Sequence, residues 1–141
     1  MNELELTVRR TISAPRPKVF DAWLSPTILS KFMGPPGGAE PARVTTDPVK
    51  GGRFSIVMVF DGKEIPHAGT YLEIDPHARL AFTWESPHSL DDSVVTLDFA
   101  ELGPDTTEIT LRQVKFRSES ARDGHVEGWN TIITNLEKID L

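Results

Sequence analysis

The sequence predicts an α+β fold, an antiparallel sheet wrapped on one long C-terminal helix. Three observations carry that expectation. Apolar and polar residues alternate through most of the stretch between Arg43 and Phe116, the period-two pattern of strands with one buried face. Short turn signals (Asp61-Gly62, Asp75-Pro76 and Gly103-Pro104-Asp105) separate the runs, so successive strands should pair antiparallel. The closing segment ARDGHVEGWNTIITNLEKIDL changes to helical spacing, with His125, Trp129, Ile132, Ile133 and Leu136 on one stripe that Ile139 or Leu141 continues.

Taken in order, LELTVRRTI alternates, with Leu4, Leu6, Val8 and Arg10 on one side, and reads as a strand. SAPRPKVFDAWLSP places prolines where a first helical turn tolerates them and repeats Val19, Phe20, Trp23 and Leu24 at helical spacing. Ser25-Pro26 stops that helix and caps a second short one, SPTILSKFM. GPPGGAEPA is a loop by composition. Phe54, Ile56, Met58 and Phe60 then alternate up to Asp61-Gly62, whose residues supply the positive φ angles of a tight hairpin. Leu80, Phe82 and Trp84 share one face of a later strand, as do Val95, Leu97 and Phe99, and then Ile109, Leu111 and Gln113. The expected order is a strand, two short helices, further strands completing a six- to seven-stranded sheet, and the long helix. Only that helix is long enough to cover the apolar face. Its Gly124 and Gly128 each cost ~1 kcal/mol relative to alanine. The expectation is that Gly128 lets the helix approach a strand closely, with Trp129 filling the space beside it.

The 141 residues suit one domain spanning 1–141. With no cysteine there are no disulfides, thiolate metal sites or cysteine nucleophiles. A net charge of -6 without a basic stripe argues against nucleic acid as a partner. No run approaches the ~20 apolar residues of a membrane span, and MNELELTVRR lacks the pattern of a signal peptide, so a cytoplasmic location is expected.

Candidate chemistry is sparse. His67, His77, His88 and His125 show no metal-binding spacing, so neither a metal nor a cofactor is expected. His77 and His88 fall in turn and loop sequence and should be solvated. His125 opens the inward stripe of the helix, either bonded to the sheet or set at a cavity mouth. Gln113 and Tyr71, inward by alternation, need buried partners or a ligand to orient. Phe54, Ile56, Met58, Phe82, Trp84, Leu97 and Trp129 form an interior that reads either as plain core or as pocket lining. Asp91 and Asp92, as neighbours on a strand, would point to opposite faces and not converge on one substrate, so a solvated turn is the better reading. GPPGG lacks the lysine of a phosphate loop and suits either a connector or a rim. Arg43 and Arg53 either balance nearby acids or meet an anionic ligand. No serine is marked as a nucleophile, so no catalytic residue is assigned.

The stretches RTISAPRPKVFDAWLSP, MGPPG, DPVKGGRFSIVM, FDG, GTYLEIDPHARLAFTW, VVTLDF, TEITL and ARDGHVEGW, in this order, resemble the activator of heat shock protein 90 ATPase homologue family. That family lies within the START-like, SRPBCC helix-grip superfamily, which also holds pollen allergens and polyketide cyclases. The resemblance implies a strongly bent antiparallel sheet gripping the C-terminal helix, with a cavity between them, and small relatives that are mostly bacterial. Phe32 and Met33 stand where the family usually has tryptophans, and Gln113 where a histidine is frequent, changes that would alter cavity shape and polarity. The expected function is binding of a small apolar or amphipathic ligand through Phe54, Ile56, Met58, Tyr71, Phe82, Trp84, Leu97, Gln113, His125 and Trp129. Two alternatives stand beside it: a cyclase- or hydrolase-type enzyme using Gln113, His125 or Tyr71, and a protein-interaction or chaperone-cofactor module. The oligomeric state, monomer or homodimer, stays open.

Overall fold

The computed structural model describes residues 4–35, 40–87, 89–90 and 92–141. The chain runs β1 (Glu5–Ile12), α1 (Arg16–Ala22), α2 (Pro26–Phe32), β2 (Arg43–Thr46), β3 (Arg53–Phe60), β4 (Lys63–Asp75), β5 (Arg79–Thr83), β6 (Val94–Gly103), β7 (Thr106–Val114) and α3 (Glu119–Glu137). Among the described residues the seven strands make one sheet ordered β1-β7-β6-β5-β4-β3-β2, antiparallel at every pairing. Strands β2 to β7 follow one another as neighbours, and β1 closes onto β7, so the helices α1 and α2 carry the chain from one edge of the sheet to the other.

Local chemistry sets the element ends. Ser25 Oγ accepts a hydrogen bond from Ile28 N at 3.3 Å and caps α2, whose first residue is Pro26. Ser118 Oγ does the same for α3, accepting from Ala121 N at 3.1 Å. In the β3–β4 hairpin Asp61 and Gly62 take φ of 51° and 75°, the left-handed pair that matches the twist of the flanking strands.

The alternation resolves as expected. Leu6, Val8, Phe54, Ile56, Met58, Leu80, Phe82, Val95, Leu97, Phe99, Ile109 and Leu111 are buried on one face. Trp129, Ile132, Ile133 and Leu136 of α3 lie against it. Arg10 faces the same way as Leu6 and Val8 and meets the far half of α3, donating to Asn130 Oδ1 (3.1 Å), Thr134 Oγ1 (3.3 Å) and Glu137 Oε1 (2.7 Å). The other face is polar, with ion pairs between Arg79 and Asp98 and between Arg112 and Glu5. Arg53 grips Glu85 with two nitrogens, at 2.8 and 3.1 Å, and holds that carboxyl below its usual range; Arg43 pairs with Glu64. Both arginines therefore balance acids. His77, expected in solvent, is half-buried with φ of 69° and its ring edge-on to Phe20, while His88 lies outside the described residues.

The close-approach glycine is not where the helix suggested. A Cβ on Gly128, or on Gly124, would meet nothing within 4 Å. A Cβ on Gly52 would stand 2.1 Å from Asp47 O, and a second crowded position is Gly69 in β4, where a Cβ would stand 2.0 Å from Thr83 O and 2.6 Å from the Phe54 ring. It sits where the β4–β5 ladder shifts register between Tyr71 and Glu73 and then resumes as an isolated Ala68–Glu85 bridge.

Gly69→Ala is expected to lower stability by about 1–3 kcal/mol, because backbone must move to admit a methyl group. An unchanged melting temperature would exclude the close approach. Tyr71, the one tyrosine in the chain, is 2% exposed, and its burial, helped by the charge of Asp47, raises its pKa to about 12. Folding thus favours the neutral phenol. That contribution is complete below the unfolded value near 10 and is lost as pH rises through about 12. Tyrosinate absorbance should show no ionisation until pH passes well beyond 10; a midpoint at 10 in folded protein would exclude the buried phenol.

Candidate functional site

The N-terminal half of α3 stands away from the sheet and, with β3, β4 and the segment following β5, walls a cavity of about 710 Å³. Its apolar wall is Met58, Phe60, Trp84, Pro87, Trp129 and Ile132. Gly124 and Gly128 also line it, and the absence of their side chains keeps the space open. Their cost to the helix, left unexplained by a tight contact, is explained by a cavity.

Trp129 forms the floor. Its ring lies 4.9 Å from Trp84 and 6.4 Å from Trp23. Its Nε1 donates to Gln113 Oε1 at 2.7 Å, and Gln113 Nε2 donates to Ser93 Oγ at 2.9 Å. The Ser93 hydroxyl donates onward to Val114 O at 2.8 Å. Gln113 and Ser93 are fully buried, so this chain supplies the partners that a buried amide and hydroxyl need. His67 packs on Trp84 with ring centroids 4.9 Å apart, and its Nδ1 meets Ile65 O at 3.1 Å.

A second polar chain lies at the other end of the cavity. His125 Nδ1 is 2.7 Å from Ala121 O, one helical turn back. His125 Nε2 is 3.0 Å from Ser89 Oγ, and Ser89 Oγ is 2.8 Å from Ser86 Oγ. Ser86 and His125 line the cavity, whereas Ser89 is buried behind them. Arg117, also on the wall, donates to Ser89 O at 3.3 Å and Phe116 packs on the His125 ring at 5.1 Å, so residues on both sides hold this corner. Asn135, deeper along α3, ties the start of the Gly-Pro loop to the helix by donating to Gly34 O and Pro35 O at 3.3 and 3.1 Å. Residues 36–39 of that loop lie outside the described residues.

The ten residues expected to bind ligand fall into three groups. Met58, Trp84, His125 and Trp129 line the large cavity. Phe54, Ile56, Tyr71 and Phe82, again with Trp84, surround a separate space of about 10 Å³, a packed interior with room for nothing larger than a water molecule. Leu97 and Gln113 line neither; Leu97 is core and Gln113 anchors Trp129. Ser86, Ser89, His67 and Arg117 join the site without having been singled out. Ser86, Ser89 and Arg117 lie in or beside loops, where no periodicity marks which residues converge, whereas His67 lies within β4, on the same buried face as Tyr71. Of the neighbouring aspartates, Asp92 pairs with Lys115 at 3.0 Å, which holds its carboxyl low, and Asp91 lies outside the described residues. Among the described residues no three His, Asp or Glu side chains cluster to hold a metal, and no helix is long and apolar enough to cross a membrane.

Solved structures share this architecture. A protein from Chromobacterium violaceum superposes with a TM-score of 0.77 at 22% identity, covering 96% of both chains. One from Nitrosomonas europaea gives 0.77 at 24% identity, covering 96% of this chain and 92% of that one. An HSP90 activator from Plasmodium falciparum gives 0.76 at 19% identity, covering 95% and 94%. No curated protein matches the chain. The model of the family described as Activator of Hsp90 ATPase homolog 1-like protein matches residues 13–139. With nearly the whole chain inside that match, and the sheet, the paired short helices and the long closing helix all in place, the chain belongs to the Activator of Hsp90 ATPase homolog 1-like family.

Proposed function

We propose that this chain binds a small apolar or amphipathic molecule in the cavity beneath the first half of α3. The observation that carries the reading is the pair of helix glycines on the cavity wall. Gly124 and Gly128 weaken the helix, relieve no crowding, and leave a space of about 710 Å³. That volume lies within the range of roughly 300–1,000 Å³ of small-molecule sites. Its lining suits such a ligand, with Met58, Trp84, Trp129 and Ile132 for an apolar body and Ser86, Arg117 and His125 for a polar end. A role in activating a chaperone ATPase, suggested by the Plasmodium neighbour, would call for a protein-docking surface. The outer sheet face is instead laced by exposed ion pairs, which favours the cavity.

Two measurements test this. Gly124→Ala and Gly128→Ala should each raise stability by about 0.5–1 kcal/mol, since a methyl group there meets open space. A fall in melting temperature would show that the positions are crowded after all. Gly128→Leu should remain folded yet lose binding of the fluorescent apolar probe anilinonaphthalene sulfonate, because the new side chain occupies the cavity. Equal probe binding by wild type and Gly128→Leu would overturn the reading. Native mass spectrometry of freshly purified wild type would in addition identify any small molecule retained in the cavity.

A further inference from the structure

The cavity is long, and a cation stands at one end of it. From Arg117 to Ile132 its wall follows α3 for about 20 Å. Trp84, Trp129 and Ile132 form the apolar end. Between the ends Gly124 and Gly128, one turn apart, leave a strip of bare helix backbone along which an extended chain fits. Arg117 stands at the mouth, exposed. Its Nη2 donates to Ser89 O at 3.3 Å, and among the described residues no carboxylate meets its guanidinium. Arg10, Arg43, Arg53, Arg79 and Arg112 each face one. Arg117 is thus a cation steadied by a carbonyl, its charge left uncompensated. The groups beside it also donate. Ser118 Oγ accepts from Ala121 N, which leaves the hydroxyl proton to give, and Ser120 adds a second hydroxyl on the wall. Both ring nitrogens of His125 are engaged, with Ala121 O and Ser89 Oγ, whatever its charge, so this histidine does not decide the ligand's head.

From the uncompensated cation at the mouth and the apolar run behind it we infer that the cavity takes an extended amphiphile with a carboxylate head. The head sits on Arg117 and Ser118, and the chain runs beneath Gly124 and Gly128 towards Trp129. The inference rests on the cavity-binding reading and narrows it to a chemical class. A carboxylate is the group whose two oxygens match a guanidinium fork in plane and in charge. Being an acceptor throughout, it also suits the Ser118 and Ser120 hydroxyls. Glu127, the carboxylate on the same wall, does not cancel the site. It lies about 13 Å further along the helix axis than Ser118. It is exposed, and that separation exceeds the screening length of roughly 8 Å at physiological ionic strength. Glu119, between the two serines, is not on the cavity wall. A cationic head placed at the mouth would meet the charge of Arg117 and be repelled.

The test compares three probes of one chain length in titration calorimetry at neutral pH and low salt: decanoate, 1-decanol and decyltrimethylammonium. Wild type should bind decanoate most tightly, roughly three- to tenfold above the other two, the worth of a partly exposed charged hydrogen bond. Added salt should erode that preference and leave decanol unchanged. Arg117→Gln should abolish the preference with little effect on decanol, and Arg117→Lys, which keeps the charge, should retain part of it. Arg117→Glu should invert the order and favour the ammonium. Release of the loop held at Ser89 would instead weaken all three probes alike, so the order of the head groups separates recognition from packing. Melting temperatures check that the variants fold. If wild type binds decanol or the ammonium as tightly as decanoate, or if Arg117→Glu leaves the order unchanged, the inference falls while the cavity reading stands. If none of the three binds to wild type, the cavity reading falls and takes the inference with it.

Discussion

The hydrogen bond from Trp129 Nε1 to Gln113 Oε1 is the constraint on which the arrangement turns. An indole placed between a sheet and a helix brings a large apolar area and one N–H that must be satisfied. Gln113, on the inner face of β7, satisfies it, and its own amide N–H is satisfied in turn by Ser93 just before β6. The chain Trp129–Gln113–Ser93–Val114 therefore fixes α3 at one height over the sheet and in one rotation about its axis. Leu6, Val8, Ile109 and Leu111 could supply apolar contact in many registers. A buried, directional polar chain tolerates one, because any slip would strand an amide and an indole N–H without partners.

With Trp129 pinned, α3 divides into two functional halves. Beyond it, Ile132, Ile133 and Leu136 are packed, Asn135 holds the start of the Gly-Pro loop, and Arg10 reaches up from β1 to Asn130, Thr134 and Glu137. Before it, Gly124 and Gly128 present no side chain, and the helix surface becomes a cavity wall. A helix packed along its full length would be more stable and would enclose nothing. The stability lost at two glycines is compensated by the rigid C-terminal half, which lets the N-terminal half stand clear of the sheet without unravelling.

The fold was legible because it depends on patterns that individual residues repeat. Phe54, Ile56 and Met58, or Ile109, Leu111 and Gln113, declare one face of a strand through position alone, and Asp61-Gly62 declares the turn by its backbone conformation. Ser25 before Pro26 marks a helix start for the same local reason. The site was less legible, because it depends on where strands end. Leu97 and Gln113 share the inward face with Met58 and Trp84, but the cavity opens over only part of that face. Phe54, its ring 6.3 Å from Trp84, and Tyr71, 5.3 Å from Phe54, fall in packed core. Gly128 shows the difficulty most clearly. A glycine in a helix signals that a side chain is unwanted, but a strand pressed against it and a space kept beside it leave the same letter in the sequence. Crowding demands a glycine instead at Gly69, hidden in an ordinary strand run, and at Gly52 just before β3.

Solved structures at 19–24% identity share the fold, so the fold as such carries little information about function. That information must lie where the fold is least constrained, in the loops that border the cavity. Here the loop after β5 supplies Ser86 and Ser89, the segment before α3 supplies Arg117, and the first turns of α3 supply His125, joined by contacts across the gap. Core packing does not require these residues. Removing them would leave Trp129, Gln113 and the apolar face of the sheet intact. Under the proposed cavity binding, this cluster of partly buried polar groups, which the fold can spare, is chemistry directed at the space it borders. On that reading, the half of α3 that contributes least to stability is the half in which recognition would be concentrated.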